Sequence, residues 1–384
     1  MQKRLFAALA GAAVATAAAV AQSPFIDRVY EYCPAPGQFI NEMPPYEQGD
    51  DAESMRLKAQ EQIAGERTPG MISLGAYGGY VVFGFDHPVV NVHGRYDFQV
   101  YGNAMPAPSH SAEPGIVSVS TDANGNGLPD DPWYELAGSD YRLPSTVHDG
   151  GVRYSRPQAG HVAVPDPSNK AIIDMEYIPY RLSGGADAGE EGWLHQVSFH
   201  TQDYWPQWLE TGTLDFTGTR LAHNGTDTNG DGRLWVTEPL HWGYADNLPN
   251  NAYKGFSIDW AVDADGNPVN LERIDFVRVH TAILQNLGWI GEESTEICGG
   301  EDLHPEAVYS SSWPSDPIDP SAEYGSPDTG IGSVTAAPGT EGADIYDLQG
   351  RAILRGASIS AIRTLPAGIY IERTAGSARK IRIR

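Results

Sequence analysis

The sequence predicts a mainly β protein: a jelly-roll-like β-sandwich followed by a linker and a small C-terminal β module. Three observations carry this. Short β-branched and aromatic runs recur along the chain, separated by Gly, Pro, Asp and Asn. Gly 43 and Pro 28 supply the turns that short strands need, and Tyr 19 and Trp 9 can fill a core between sheets. One stretch alone, Ser54 to Glu66, has convincing helical spacing, with Met55, Ala59 and Ile63 four apart and Lys, Gln and Glu between them.

In chain order, residues 1–21 open with Lys3 and Arg4, continue as an Ala/Leu/Val-rich stretch and end on Ala19-Val20-Ala21. This is the pattern of a secretory signal peptide. Residues 22–300 then carry the sandwich. Its expected strands are Met71–Leu74, Tyr80–Phe85, Tyr96–Val100, Gly115–Ser120, Gln196–Phe199, Phe256–Trp260 and Ile274–Val279, with a polar excursion from Ser183 to Gly192 as a candidate ligand rim. From 301 to 342 the chain turns rich in Ser, Pro, Asp and Gly and loses periodicity, which reads as a linker. Residues 343–384 carry eight basic and three acidic residues and form a separate unit, with hairpin turns expected at Gln349-Gly350 and Ala375-Gly376. No later segment reaches the roughly 18 uncharged apolar residues of a spanning helix.

Charge narrows the partners. The formal net charge is −25, and removing Lys3 and Arg4 with the signal leaves 23 basic against 50 acidic residues, or −27. Nucleic acid and anionic membrane surfaces would be repelled, whereas divalent cations would be attracted. In an oxidising compartment the only two cysteines, Cys33 and Cys298, are expected to bridge the two ends of the main domain; two free buried thiols are the alternative.

The strongest local motif is Asp227-Thr228-Asn229-Gly230-Asp231-Gly232 with Glu238 at the twelfth position. Ca2+ takes oxygen ligands, and this spacing offers Asp227, Asn229 and Asp231 side chains, the Arg233 carbonyl and a bidentate Glu238. A plain Asn/Asp/Gly turn between strands would use the same residues. A second run, Asp122 to Asp131, repeats the opening but has Trp133 at position twelve, so its candidate ligands are Asp122, Asn124, Asn126 and Asp130, with a structured turn again the alternative. Asp263–Asn267 reads as a turn only.

Recognised enzyme motifs are missing: there is no His-Glu-x-x-His, no Gly-x-Ser-x-Gly, no phosphate-cradling Gly loop, and neither Cys has metal or redox spacing. Two catalytic carboxylates could still hide among 50 acids. Trp193, Trp205, Trp208 and Trp242 sit near Gly, Pro or Asp and are candidate ligand-stacking residues, although core packing is the plainer reading of each; Trp260 lies in an alternating run and reads as core.

Several strings resemble a family of Bacteroidetes cell-surface proteins: Cys33–Phe39, Gly78–Pro88, Tyr134–Ser139, Trp242–Asn247 and Gly291–Glu296, within a match from about Tyr30 to His304. Such proteins are often encoded beside outer-membrane uptake systems, including those for cobalamin, so the resemblance implies ligand capture at the surface without chemistry. The tail strings Ile345–Arg351, Leu365–Ile371 and Lys380–Arg384 resemble the C-terminal sorting domain of type IX secretion. The expectation is therefore a secreted, calcium-binding, non-catalytic surface protein. It would capture a small nutrient ligand, a corrinoid or a glycan, and could work with an outer-membrane uptake complex. A calcium-dependent carbohydrate-active enzyme and a purely structural surface protein are the rivals.

Overall fold

Runs of Val, Ile and Phe that alternate with smaller residues become the strands of antiparallel sheets, and the protein is mainly β and sandwich-like. The computed structural model describes residues 22–313 and 316–327, and beyond them 331–333, 343–346, 352–357, 359–362, 364–366, 368–373 and 378–383. The signal-peptide expectation for 1–21 lies outside the described residues.

Two sheets organise the main domain. Their strands, in chain order, are β1 (Arg28–Cys33), β2 (Tyr80–Gly84), β3 (Gly115–Ser120), β4 (Trp133–Leu136), β5 (Val147–Ser155), β6 (Ile172–Ser183), β7 (Glu191–Val197), β8 (Thr213–Arg220), β9 (Tyr244–Ala245), β10 (Ala261–Val262) and β11 (Phe276–Thr281). The larger sheet runs β1-β2-β11-β3-β4-β10 with β9 added on β3, and the smaller runs β7-β6-β5-β8. At the centre of the larger sheet Val277 pairs with Phe83 and Val119, and Val279 with Val81 and Val117. Because side chains alternate across a strand, these six share one face. That face packs on the helix α1 (Ala52–Ile63) in one core. Each such burial stabilises by roughly 1.5–3 kcal/mol. The opposite face of the same strands carries Ser118, Arg278 and His280, and the smaller sheet builds its own cluster from Tyr154, Ile178, Leu194 and Phe216 with Tyr80 and Cys33 at its edge.

Helix α1 forms where the four-residue spacing places it, and Met55, Ala59 and Ile63 are all fully buried. It starts at a reciprocal cap: Asp51 Oδ1 accepts the Ser54 amide at 2.8 Å and Ser54 Oγ accepts the Asp51 amide at 2.7 Å.

Two expectations are corrected here. Phe256–Trp260 is no strand; after a single bridge from Phe256 to Phe98 the chain makes a 3-10 turn, Ile258–Trp260, capped by Ser257. The segment from 301 is not all linker. Glu301 and Asp302 end the strand Gly299–Asp302, Ile318 accepts a hydrogen bond from the Trp260 indole, and Tyr324 packs against the main core. Low hydrophobicity concealed this, because the segment docks through a few large residues and through backbone carbonyls.

The C-terminal unit is a separate sheet of five strands. Ile331–Ser333 runs parallel to Ala378–Ile383, which is followed antiparallel by Gly368–Arg373, Ala343–Tyr346 and Ala352–Ala357. Ile345 and Ile362 are its buried centre. The expected turns at Gln349-Gly350 and Ala375-Gly376 lie outside the described residues. Among the described residues no helix is long and apolar enough to cross a membrane.

Candidate functional site

A cleft of about 750 Å³ opens between the loop 92–95 and the segment 303–313, with His93, Arg95, Leu303, His304, Glu306 and Trp313 among its walls. This volume falls within the usual range for small-molecule sites. Both walls are fixed from behind by buried carboxylates. Asp97, with no exposed surface, accepts the Val92 amide on Oδ1 and the Ile258 amide on Oδ2, each at 2.7 Å. Asp259 accepts from His93 Nδ1 at 2.6 Å, Asn91 Nδ2 at 3.0 Å and the Gly94 amide at 3.1 Å. On the facing wall Asp302 accepts the His304 amide at 2.7 Å and meets His87 Nε2 at 2.8 Å. Burial pushes the Asp97 carboxyl well above the usual range and also raises Asp302.

These supports leave a particular set of groups for a ligand. Of the lining rings, His93 and Trp313 are linked edge to face through Tyr309, at 6.0 and 6.1 Å. His304 Nε2 is buried without a hydrogen-bond partner. Arg95 contributes a guanidinium and Glu306 a carboxylate. An aromatic wall, a histidine nitrogen with unused capacity and one group of each charge suit a ligand with an apolar or flat body and polar edges.

Around Asp122 the second sequence run closes into a tight, exposed loop. Asp122 accepts the Asn126 amide at 3.0 Å and the Gly127 amide at 2.9 Å. The amide groups of Asn124 and Asn126 donate to the two oxygens of Asp130 at 3.0 and 2.9 Å. Gly125 and Gly127, at φ 73° and 74°, provide the left-handed turns that make this wrapping possible. Asp122, Asn124, Asn126 and Asp130 are thus brought together, with Asn124 Oδ1 accepting the Asn126 amide at 2.9 Å and Asn126 Oδ1 the Leu128 amide at 2.8 Å.

The Asp227 motif is placed differently. Gly225–Asp227 and Trp235–Thr237 pair as a short hairpin with Asp227 opposite Trp235. Asp227 Oδ2 accepts the Gly232 amide at 2.6 Å and Asp231 Oδ1 accepts the Arg233 amide at 3.1 Å, so Asp227, Asn229 and Asp231 share one turn. Glu238 does not join them. It lies three residues beyond Trp235, roughly 10 Å along an extended strand, and its carboxylate meets His110 Nδ1 at 2.7 Å. The Arg233 carbonyl accepts the Trp289 indole N–H at 2.8 Å. The hairpin ladder therefore separates the ligands that a helix-flanked loop would have converged.

The tryptophans divide. Trp193 is 41 % exposed beside a second depression of about 390 Å³. Trp205 is fully buried and Trp208 nearly so, both filling cores, and neither reaches a surface ligand. Trp242 packs at a tilt against Trp260, ring centres 5.2 Å apart, and donates to the Gly325 carbonyl at 3.2 Å, holding the docked segment; Trp260 is core. The expected disulfide is absent: Cys33 and Cys298 are free thiols. Cys33 ends β1 opposite Tyr80, whereas the Cys298 amide bonds the Tyr101 carbonyl at 2.7 Å, so the two belong to different ladders. Burial raises the Cys33 thiol and pushes Cys298 up to about 12, which makes both poor nucleophiles.

Sequence reasoning passed over His93, Arg95, His304, Glu306 and Trp313. Two of these lie in an ordinary turn, and the other three lie in the stretch whose Pro/Ser/Asp content reads as linker. No protein-family model matches this chain, and no curated protein matches it.

Proposed function

We propose that this protein is a calcium-binding, non-catalytic capture protein of the cell surface, exported by its leader, that takes a small nutrient ligand into the cleft between residues 92–95 and 303–313. The observation that carries this reading is the cleft itself: ring groups line it, His304 Nε2 is unspent, and buried Asp97 and Asp259 hold its loop in place before any ligand arrives. Preorganisation of this kind lowers the cost of ordering on binding. Calcium belongs at Asp122, Asn124, Asn126 and Asp130, whose side chains already crowd one loop. A corrinoid or a glycan suits the aromatic wall and polar edges, in line with the family that the sequence resembles. Hydrolysis of a glycan needs two carboxylates across a cleft; the described lining offers Glu306 alone, which favours capture.

A thermal-shift series with cyanocobalamin and soluble glycans tests the assignment. One ligand class is expected to raise the Tm of wild type and to lose most of that effect in R95A and W313A, while W193A responds like wild type. A ligand whose effect is unchanged in R95A and W313A would place the site elsewhere.

A further inference from the structure

The strongest unused feature of the molecule is a group of buried acids at the start of β3. Glu113 lies two residues before that strand, Asp246 directly follows β9, which pairs with it, and Glu296 opens the short strand Glu296–Ile297 paired with Ile72–Ser73. Three segments far apart in sequence thus meet, and one carboxylate oxygen from each lies within 4.8 Å of the others. Asp246 and Glu296 are 3 % exposed and Glu113 is half-buried.

These carboxylates are held firmly by neutral donors. Asp246 Oδ1 accepts the amides of Asn103 and Ala104 at 2.7 and 2.9 Å, and Oδ2 accepts the Glu296 amide at 2.9 Å. Glu296 accepts Ser294 Oγ at 2.8 Å and Asn103 Nδ2 at 3.3 Å. Asp246 holds φ 50°, the one non-glycine residue with positive φ among those described. No Lys, Arg or His forms an ion pair with any of the three among the described residues.

An independent observation comes from Glu293, 1 % exposed. Gln285 donates to its Oε2, while Oε1 is buried with no partner. Glu293 lies three residues before Glu296 in the same buried segment. A fourth buried acid with an unspent oxygen, added to three others and no cation, is satisfied either by protons held among the carboxyls or by a cation that enters and takes up the free oxygens.

We infer that Glu113, Asp246 and Glu296, with Glu293 beside them, form a buried site for a hard divalent cation, distinct from the exposed Asp122 loop. The donor set is oxygen throughout, which selects calcium, magnesium or manganese over the thiolate- and imidazole-seeking metals. The ion would tie together the start of β3, the end of β9 and the 293–297 segment, so its role is to lock that end of the sheet.

Equilibrium dialysis of the chelator-stripped full chain against calcium, and separately against manganese, with the bound metal counted per chain, tests this. Wild type is expected to bind one equivalent more than E296Q or E113Q, and to gain thermal stability that those variants lack. D122N, which touches only the exposed loop, is expected to keep the buried equivalent. Should E296Q fail to fold, E113Q at the half-buried edge decides. Folded variants that retain the wild-type count with both metals would overturn the site. A count that falls in D122N and stays at the wild-type value in E113Q would overturn it too, while leaving the loop assignment intact. A count that falls in E113Q and is unaffected by D122N would support the buried site and remove the loop one.

Discussion

At the scale of single residues, burial decides more than type. Trp193, Trp205, Trp208 and Trp242 look alike in sequence, flanked by polar or turn residues, yet only Trp193 presents a large exposed face while Trp205 is completely enclosed. Trp205→Ala is therefore expected to cost about 3–5 kcal/mol in chemical denaturation, and Trp193→Ala to change stability by roughly 0.5 kcal/mol or less. Equal losses would contradict this division. His280 gives the pH counterpart. Burial, only partly opposed by the Thr219 carbonyl on its Nε2, lowers its pKa from 6.5 to about 4. The unfolded chain takes up a proton below pH 6.5 that the native imidazole refuses, so this stability is complete above 6.5 and is lost as pH falls toward 4. Roughly 3 kcal/mol is at stake. Urea midpoints for wild type should fall across that window, and H280N should show a shallower fall; identical slopes would remove His280 from the account.

At the scale of elements, periodicity was readable and convergence was not. Met55, Ala59 and Ile63 marked α1 because a helix buries every fourth residue, and Gly115–Ser120 became β3 with the predicted limits because its alternating valines have one partner face. Phe256–Trp260 alternates equally well but turns, since Ser257 caps the Asp259 amide and Asp97 takes the Ile258 amide. The two Asp/Asn/Gly loops show the same limit. Ligand spacing is a property of the chain, whereas ligand convergence depends on what flanks the loop; an antiparallel ladder carries Glu238 away, and the tighter Asp122 turn gathers its own side chains. Chelation should accordingly lower the Tm of wild type and of E238A alike, with a smaller drop in D122A and D130A. A drop abolished by E238A and preserved in D122A and D130A would restore the hairpin as the calcium loop.

At the scale of the whole molecule, the class was legible from turn density and strand composition, but the extent of the domain was not. Residues 303–313 and 316–327 form no sheet of their own; they are recruited by Trp242, Trp260 and the Asp302–His304 turn, and in docking they supply half of the cleft. The buried acids escaped notice for a related reason: Glu292, Glu293 and Glu296 form a strongly charged string of the sort usually found on a surface, yet all three are no more than 3 % exposed. The central claim is that the cleft binds the ligand. Isothermal titration of the purified protein with cyanocobalamin and with the glycan panel, in calcium, for wild type and W313A, is its most direct test. The account predicts saturable one-site binding of one class by wild type, weakened at least tenfold by W313A; binding of equal strength by both proteins, or none by wild type to either class, would contradict it.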